Sequence, residues 1–228
     1  MRSRTLGTPR PGVPEIVLVP GLAVADYLLP GLAAWGEWTR AHLLELPGQA
    51  GSGEPPYELS VAEYSRAVTG WLAAHRPDPV ILAGHSSGTQ VVAEAAAGAA
   101  EVAGLVLAGP MTDPAVRGRF PLAARWAVEG LTQPPALTAT QATEWWRAGP
   151  RRLTHLVGIH RRHRIEDPLR RVTVPVLVLR GRRDRLCSAA WTRRLGRQVE
   201  MPGAHCFPWS HPHAWSEPVR QLAALVSR

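Results

Sequence analysis

The chain contains no lysine: all 26 of its basic residues are arginine. Lysine Schiff-base chemistry and a covalently held pyridoxal phosphate are therefore excluded. There are only two cysteines, Cys187 and Cys206, in neither a CxxC pair nor a metal-ligand spacing. That scarcity points to a reducing compartment, with a single disulfide between the two left open. No apolar run reaches the ~18 residues of a membrane span. The opening "MRSRTLGTPRPGVPE" lacks the apolar segment of a signal peptide. These absences lead us to expect a soluble cytoplasmic protein.

What is present is enough apolar material for a core. The 228 residues are 45% hydrophobic and 19% charged, which fits one domain or a domain with a modest insertion. The net charge of +8 could attract nucleic acid or another anionic partner. However, no nucleic-acid motif and no strand of interleaved aromatic and basic residues accompanies it, so nucleic acid is set aside as a partner. Arginine enrichment also fits a GC-rich coding sequence.

Short apolar runs alternate with helical patterns along the chain. "EIVLVP" (15–20), "RAHLLEL" (40–46), "PVILAG" (79–84), "VAGLVLAG" (102–109), "VPVLVLRG" (174–181) and "QVEMPG" (198–203) read as strands bounded by Pro or Gly. Residues 60–75 open with Ser60 and Glu63, a capping-box pair, and repeat apolar residues at helical spacing. Helices are also expected over 87–99, about 188–196 and 212–227. Strands without polar alternation, separated by helices, predict a mostly parallel sheet covered on both faces. Residues 1–14 read as a basic, Pro/Gly-rich tail. The core is expected over 15–111 and 171–228, with 112–170 as a helical insertion lying as a lid on one edge.

In "VILAGHSSGTQ" (80–90), a strand runs into a helix through Gly84-His85-Ser86-Ser87-Gly88. A sharp strand-to-helix turn strains its central residue and crowds the positions two away, where glycine fits. Such a turn lifts the Ser86 hydroxyl above the sheet. It also aims the Ser87 backbone N–H at the same space, as half of an oxyanion hole at a helix N-terminus.

A serine hydroxyl needs a base and an orienting acid to act as a nucleophile. Asp184 follows the strand "VLVLRG", at the sheet edge that holds Ser86; Asp113 and Asp167 are rival acids. His205 follows a short strand and Pro202-Gly203, whereas His211 and His213 look like surface residues. The chain order Ser, Asp, His is that of one known triad architecture.

The segments "LVPGLA" (18–23), "LPGQAGSG" (46–53), "AGHSSG" (83–88), "LRGRRD" (179–184) and "PGAH" (202–205) resemble the α/β-hydrolase superfamily, from about residue 15 to the C-terminus. The resemblance is to its cofactor-free serine hydrolases. It implies a Ser86–His205–Asp184 triad, and Leu22, after Pro20-Gly21, as the second oxyanion donor beside Ser87. Many relatives carry His-Gly where this chain has Pro-Gly, a change that leaves a backbone donor intact. With so short an N-terminus, the first antiparallel hairpin is not expected, and the sheet should hold about six strands. Relatives also usually have one more residue before the histidine. Holding "FPW" in register puts Cys206 at that position, and a one-residue deletion restores His205.

By the same resemblance, residues 145–172 look like the return from a cap to the core. Trp126, Trp145 and Trp146 would then line the pocket, unless they are the packing face of cap helices. Arg151, Arg152, Arg161, Arg162 and Arg164 would meet an acidic substrate group or form a solvated face. The implied activity is hydrolysis of a small-molecule ester, thioester, lactone, amide or diketone C–C bond, without metal or cofactor. Epoxide hydrolases and haloalkane dehalogenases of this superfamily carry aspartate where Ser86 stands. The competing expectation is a non-hydrolytic lyase, cyclase or ligand-binding protein on the same fold.

Overall fold

The structure is a computed structural model that describes residues 1–49, 51–75 and 79–227. Its core is a seven-stranded sheet: β1 (Arg2–Leu6), β2 (Ile16–Val19), β3 (Ala41–Glu45), β4 (Val80–His85), β5 (Val102–Ala108), β6 (Val176–Gly181) and β7 (Arg197–Met201). The spatial order is β1-β3-β2-β4-β5-β6-β7. All neighbours are parallel except β1, which runs antiparallel to β3.

The central strands β2, β4 and β5 lack polar alternation because both faces of the sheet are covered there. Ile16, Leu18, Ile81 and Ala83 point to one side, against α1 (Leu29–Gly36) and α9 (Pro212–Val226), where Trp35 stacks on Trp215 at 4.1 Å. Val17, Val19, Val80 and Leu82 point to the other, with Tyr64 and Val68 of α2 (Val61–His75) and Val91 of α3 (Gly88–Ala96). At the start of α2, Ser60 Oγ accepts from the Glu63 N–H at 3.1 Å, the cap predicted by that pair.

Two expectations need correction. The sheet has seven strands rather than about six, and the opening segment is not all tail, because Arg2–Leu6 forms the antiparallel edge. A strand as polar as "RSRTL" is held by its ladder to β3 and by side chains reaching inward: Arg4 pairs with Glu45 at 2.7 Å and Thr5 Oγ1 lies 2.9 Å from His42 Nδ1.

Between β5 and β6 the chain forms α4 (Arg119–Leu131), α5 (Pro135–Arg162) and the short α6 (Glu166–Leu169). Helix α5 kinks at Gly149, whose φ of 76° precedes Pro150. Two more short helices, α7 (Ala189–Arg193) and α8 (Phe207–Ser210), flank β7. Among the described residues, no helix is long and apolar enough to cross a membrane.

Successive strands are added on one side of β2 and then on the other, so the order reverses between β2 and β4. In open α/β sheets the crevice beyond the C-terminal strand ends at such a point is the usual ligand site. The loops after β2 and β4 meet there.

Candidate active site

Ser86 sits directly after β4 with φ of 55°, a left-handed conformation that a non-glycine residue adopts only when its surroundings fix it. Its N–H donates to Ala108 O at 2.8 Å. The flanking glycines are required by space. A Cβ on Gly84 would sit 2.6 Å from the Gly88 carbonyl carbon, and one on Gly88 would overlap the Val19 carbonyl oxygen. Helix α3 thus crosses tightly over the ends of β2 and β4.

His205 is buried, and each of its polar atoms has a partner. Nε2 lies 2.9 Å from Ser86 Oγ and Nδ1 lies 2.8 Å from Asp184 Oδ2. Its backbone N–H donates to Glu129 Oε1 at 2.6 Å, and its carbonyl accepts from His85 Nε2 at 3.0 Å. The short loop before His205 therefore delivers the ring, because backbone contacts on both sides fix it. Gly109 leaves room for the imidazole; a Cβ there would approach His205 Cε1 to 3.0 Å.

Asp184 is also buried. Its Oδ1 accepts from the N–H groups of Leu186 (2.8 Å) and Cys187 (3.1 Å), and Oδ2 accepts from the Cys187 thiol at 3.0 Å. Burial alone would raise its pKa, but the His205 charge and these donors win and hold it at about 2. Burial likewise acts to depress the His205 pKa. The Asp184 charge and hydrogen bond, helped by Glu129, outweigh it and leave the imidazole above its ordinary value.

The other candidates fall elsewhere. Asp113 accepts from Ala115 N and Ser188 N, and Asp167 is a surface partner of Arg170. Cys206 is buried beside the site, its thiol facing the amides of Gln141 (3.5 Å) and Gln133 (3.7 Å) and pushed by burial to a pKa of about 12. Both cysteines are free thiols. Among the described residues, no cluster of three His, Cys, Asp or Glu side chains is arranged to hold a metal.

Leu22 and Ser87 both lie at the serine, and neither backbone N–H has a partner among the described residues. The Leu22 turn is held on both sides: Trp145 Nε1 donates to Leu22 O at 2.9 Å, and Ala23 N donates to Gln49 Oε1 at 3.2 Å. Nearby, Glu144 accepts from the N–H groups of Ala25 (2.9 Å) and Asp26 (3.1 Å).

Sequence reasoning missed a polar chain beneath the serine. Gly21 N–H donates to the Tyr27 hydroxyl at 3.2 Å, and that hydroxyl bonds His85 Nδ1 at 2.5 Å. His85 in turn bonds the His205 carbonyl. Burial and the neighbouring His205 charge depress the His85 pKa to about 3, so this ring stays neutral and links the β2 loop to the His205 loop. Glu129 and Glu144 were missed as well, because each is a lone polar residue with no motif around it, and Gln49 was given no role although it lies within the quoted segment 46–53.

A cavity of ≈ 30 Å³ remains at Ser86, lined among others by Leu22, Tyr27, Gln141 and Cys206. Trp126 and Trp145 also line it, packed edge to face at 5.7 Å. Trp146 does not line it: its side chain is 88% exposed on the outer face of α5. None of the five arginines singled out from the sequence lines the cavity either. Arg152 bonds Gly48 O and Glu54, Arg161 bonds Arg117 O, and Arg151, Arg162 and Arg164 are exposed.

Fold and geometry together narrow the class to an α/β hydrolase. The chain belongs to the alpha/beta hydrolase family, whose sequence model matches residues 16–225. Solved structures of similar fold include a hydrolase from Oleispira antarctica, with 12% identity over 97% of this chain and 94% of that one and a TM-score of 0.85. A thermophilic esterase from Thermogutta terrifontis has 17% identity, coverage of 100% and 94%, and a TM-score of 0.80. An enol-lactonase from Burkholderia xenovorans has 19% identity, coverage of 98% and 96%, and a TM-score of 0.68. No curated protein matches the sequence.

Proposed function

We propose that this protein is a serine hydrolase that cleaves a small-molecule ester, thioester, lactone or diketone C–C bond through an acyl-enzyme. The observation that carries the reading is the line from Ser86 Oγ through His205 to Asp184, with both contacts under 3 Å. His205 Nε2 takes the Ser86 proton as Oγ attacks the carbonyl carbon. Asp184 holds the Nδ1–H tautomer and stabilises the imidazolium. The N–H groups of Leu22 and Ser87 receive the oxyanion, a class of contact worth about 3–4 kcal/mol per donor. The protonated histidine gives its proton to the leaving group. It then takes one from water, which attacks the acyl carbon and frees the acid and Ser86. The names of the esterase and enol-lactonase neighbours support ester and lactone bonds as the first substrates to try.

Helices α4 and α5 act in this reading as a cap. The ≈ 30 Å³ cavity holds about two waters and no substrate. Entry therefore requires α4 and α5 to move away from the loops that Glu129, Glu144 and Trp145 grip. We place the enzyme in the cytoplasm, where its two buried thiols stay reduced.

A fluorophosphonate probe tests the reading directly. Wild-type protein should be labelled, Ser86→Ala and His205→Ala should not, and Cys206→Ala should label like wild type. A folded wild type that resists the probe would refute the activated serine and favour a non-hydrolytic role.

A further inference from the structure

Helix α4 is amphipathic in the reverse sense. Among its residues whose side chains are described, the exposed ones are Phe120, Pro121, Ala123, Ala124, Trp126, Ala127, Val128, Gly130 and Leu131, all apolar, while Glu129 is fully buried. Phe120, Ala124, Val128 and Leu131 follow one another at i, i+4, i+8 and i+11, which makes one stripe along the helix. Phe120 is 89% exposed and Leu131 87%. The uncharged surface continues onto α5 as far as Trp146. From Phe120 to Trp146 only Arg125, Glu129 and Glu144 are charged; Arg125 is half-buried and the two glutamates are buried. Arg125 bonds Arg185 O at 2.9 Å, and the two glutamates hold backbone N–H groups at the active-site loops.

Large exposed apolar faces on soluble domains mark contact surfaces. The charge around this one selects the occupant. On α5 the next exposed charged residues after Trp146 are Arg147 and Arg151. On the other side, the loop after β6, which α4 grips, presents exposed Arg182, Arg183 and Arg185. An open groove of ≈ 490 Å³ between α4 and that loop is lined by Ala124 and Val128, by Arg125, Arg180 and Arg185, and at its floor by Asp184 and Ser188. The whole chain carries +8. Two copies meeting through this face would set arginine against arginine. An anionic lipid surface would accept the apolar stripe and neutralise the flanking cations at once.

We propose that the outer face of α4 and the adjoining part of α5 dock on an anionic lipid surface, with Phe120, Leu131 and Trp146 entering the headgroup layer. This role is independent of the hydrolase reading, since none of these three side chains lines the cavity at Ser86. The test is co-sedimentation of the full chain with vesicles of phosphatidylcholine alone and of phosphatidylcholine mixed with phosphatidylglycerol. Binding is expected to the mixed vesicles, to weaken with added salt, and to be equal for Ser86→Ala. Phe120→Glu/Leu131→Glu should fold normally by circular dichroism and bind about tenfold less or weaker, from lost apolar burial and added negative charge. Failure of wild type to bind mixed vesicles, or unchanged binding by the double variant, would overturn the proposal. So would a dimer in analytical ultracentrifugation that the double variant abolishes, because the face would then belong to a second copy.

Discussion

Glu129 offers a sharp test of how the site is held. It is a fully buried carboxylate on α4, with Oε1 2.6 Å from His205 N and Oε2 3.3 Å from Arg185 N. Glu129→Gln keeps the shape but presents one amide NH2 to one of two backbone donors, so one contact turns repulsive. The other becomes a neutral hydrogen bond. A hydrogen bond to a charged group contributes about 1.5–3 kcal/mol, and the variant should lose about that much stability. For a domain of this size, that corresponds to a melting temperature lower by about 3–12 °C. The charge matters separately. Glu129 helps raise the His205 pKa, so its removal should move the acid limb of kcat/KM to lower pH, in the direction of the lost charge. Differential scanning calorimetry and a pH–rate profile on an activated ester read the two effects. A variant with wild-type melting and an unmoved acid limb would refute the view that α4 supports the base through this carboxylate.

Three further outcomes follow from the same geometry. In wild type, kcat/KM should fall as pH drops, because only neutral His205 accepts the serine proton. The midpoint should lie above the ordinary histidine value of 6.5, and His85, held near 3, should add no second limb. Tyr27→Phe removes the hydroxyl between Gly21 and His85, so urea denaturation should show a loss of about 1–3 kcal/mol and fluorophosphonate labelling should slow. Gly88→Ala drives a methyl into the Val19 carbonyl, and its denaturation midpoint should report a loss of about 3 kcal/mol, or no folded protein at all.

The sheet was readable because burial on both faces leaves β2 to β6 as largely apolar runs, and β7, though more polar, ends at Pro202-Gly203. The serine turn was readable because steric crowding admits glycine at 84 and 88. Strand β1 was not readable: "RSRTL" is mostly exposed, and its order comes from a ladder to β3 formed 35 or more residues away. The supports of the site were hidden for another reason. Glu129 and Glu144 look like ordinary polar positions on helices, and only the folded chain shows that they face inward. Trp146 misled in the opposite sense, because a large aromatic residue beside Trp145 reads as buried, yet adjacent helix positions point about 100° apart.

The same side chains that close the cavity also brace the loops around Ser86. Glu129 holds the loop that carries His205, and Trp145 holds the carbonyl of Leu22. In the proposed hydrolase, lifting α4 and α5 would therefore disarm the base and the oxyanion turn together. An ester too bulky to be enclosed would prop the site open and remain uncut, acting as an inhibitor. Selectivity by size would then arise from assembly of the machinery itself, with no contact devoted to rejecting the wrong molecule.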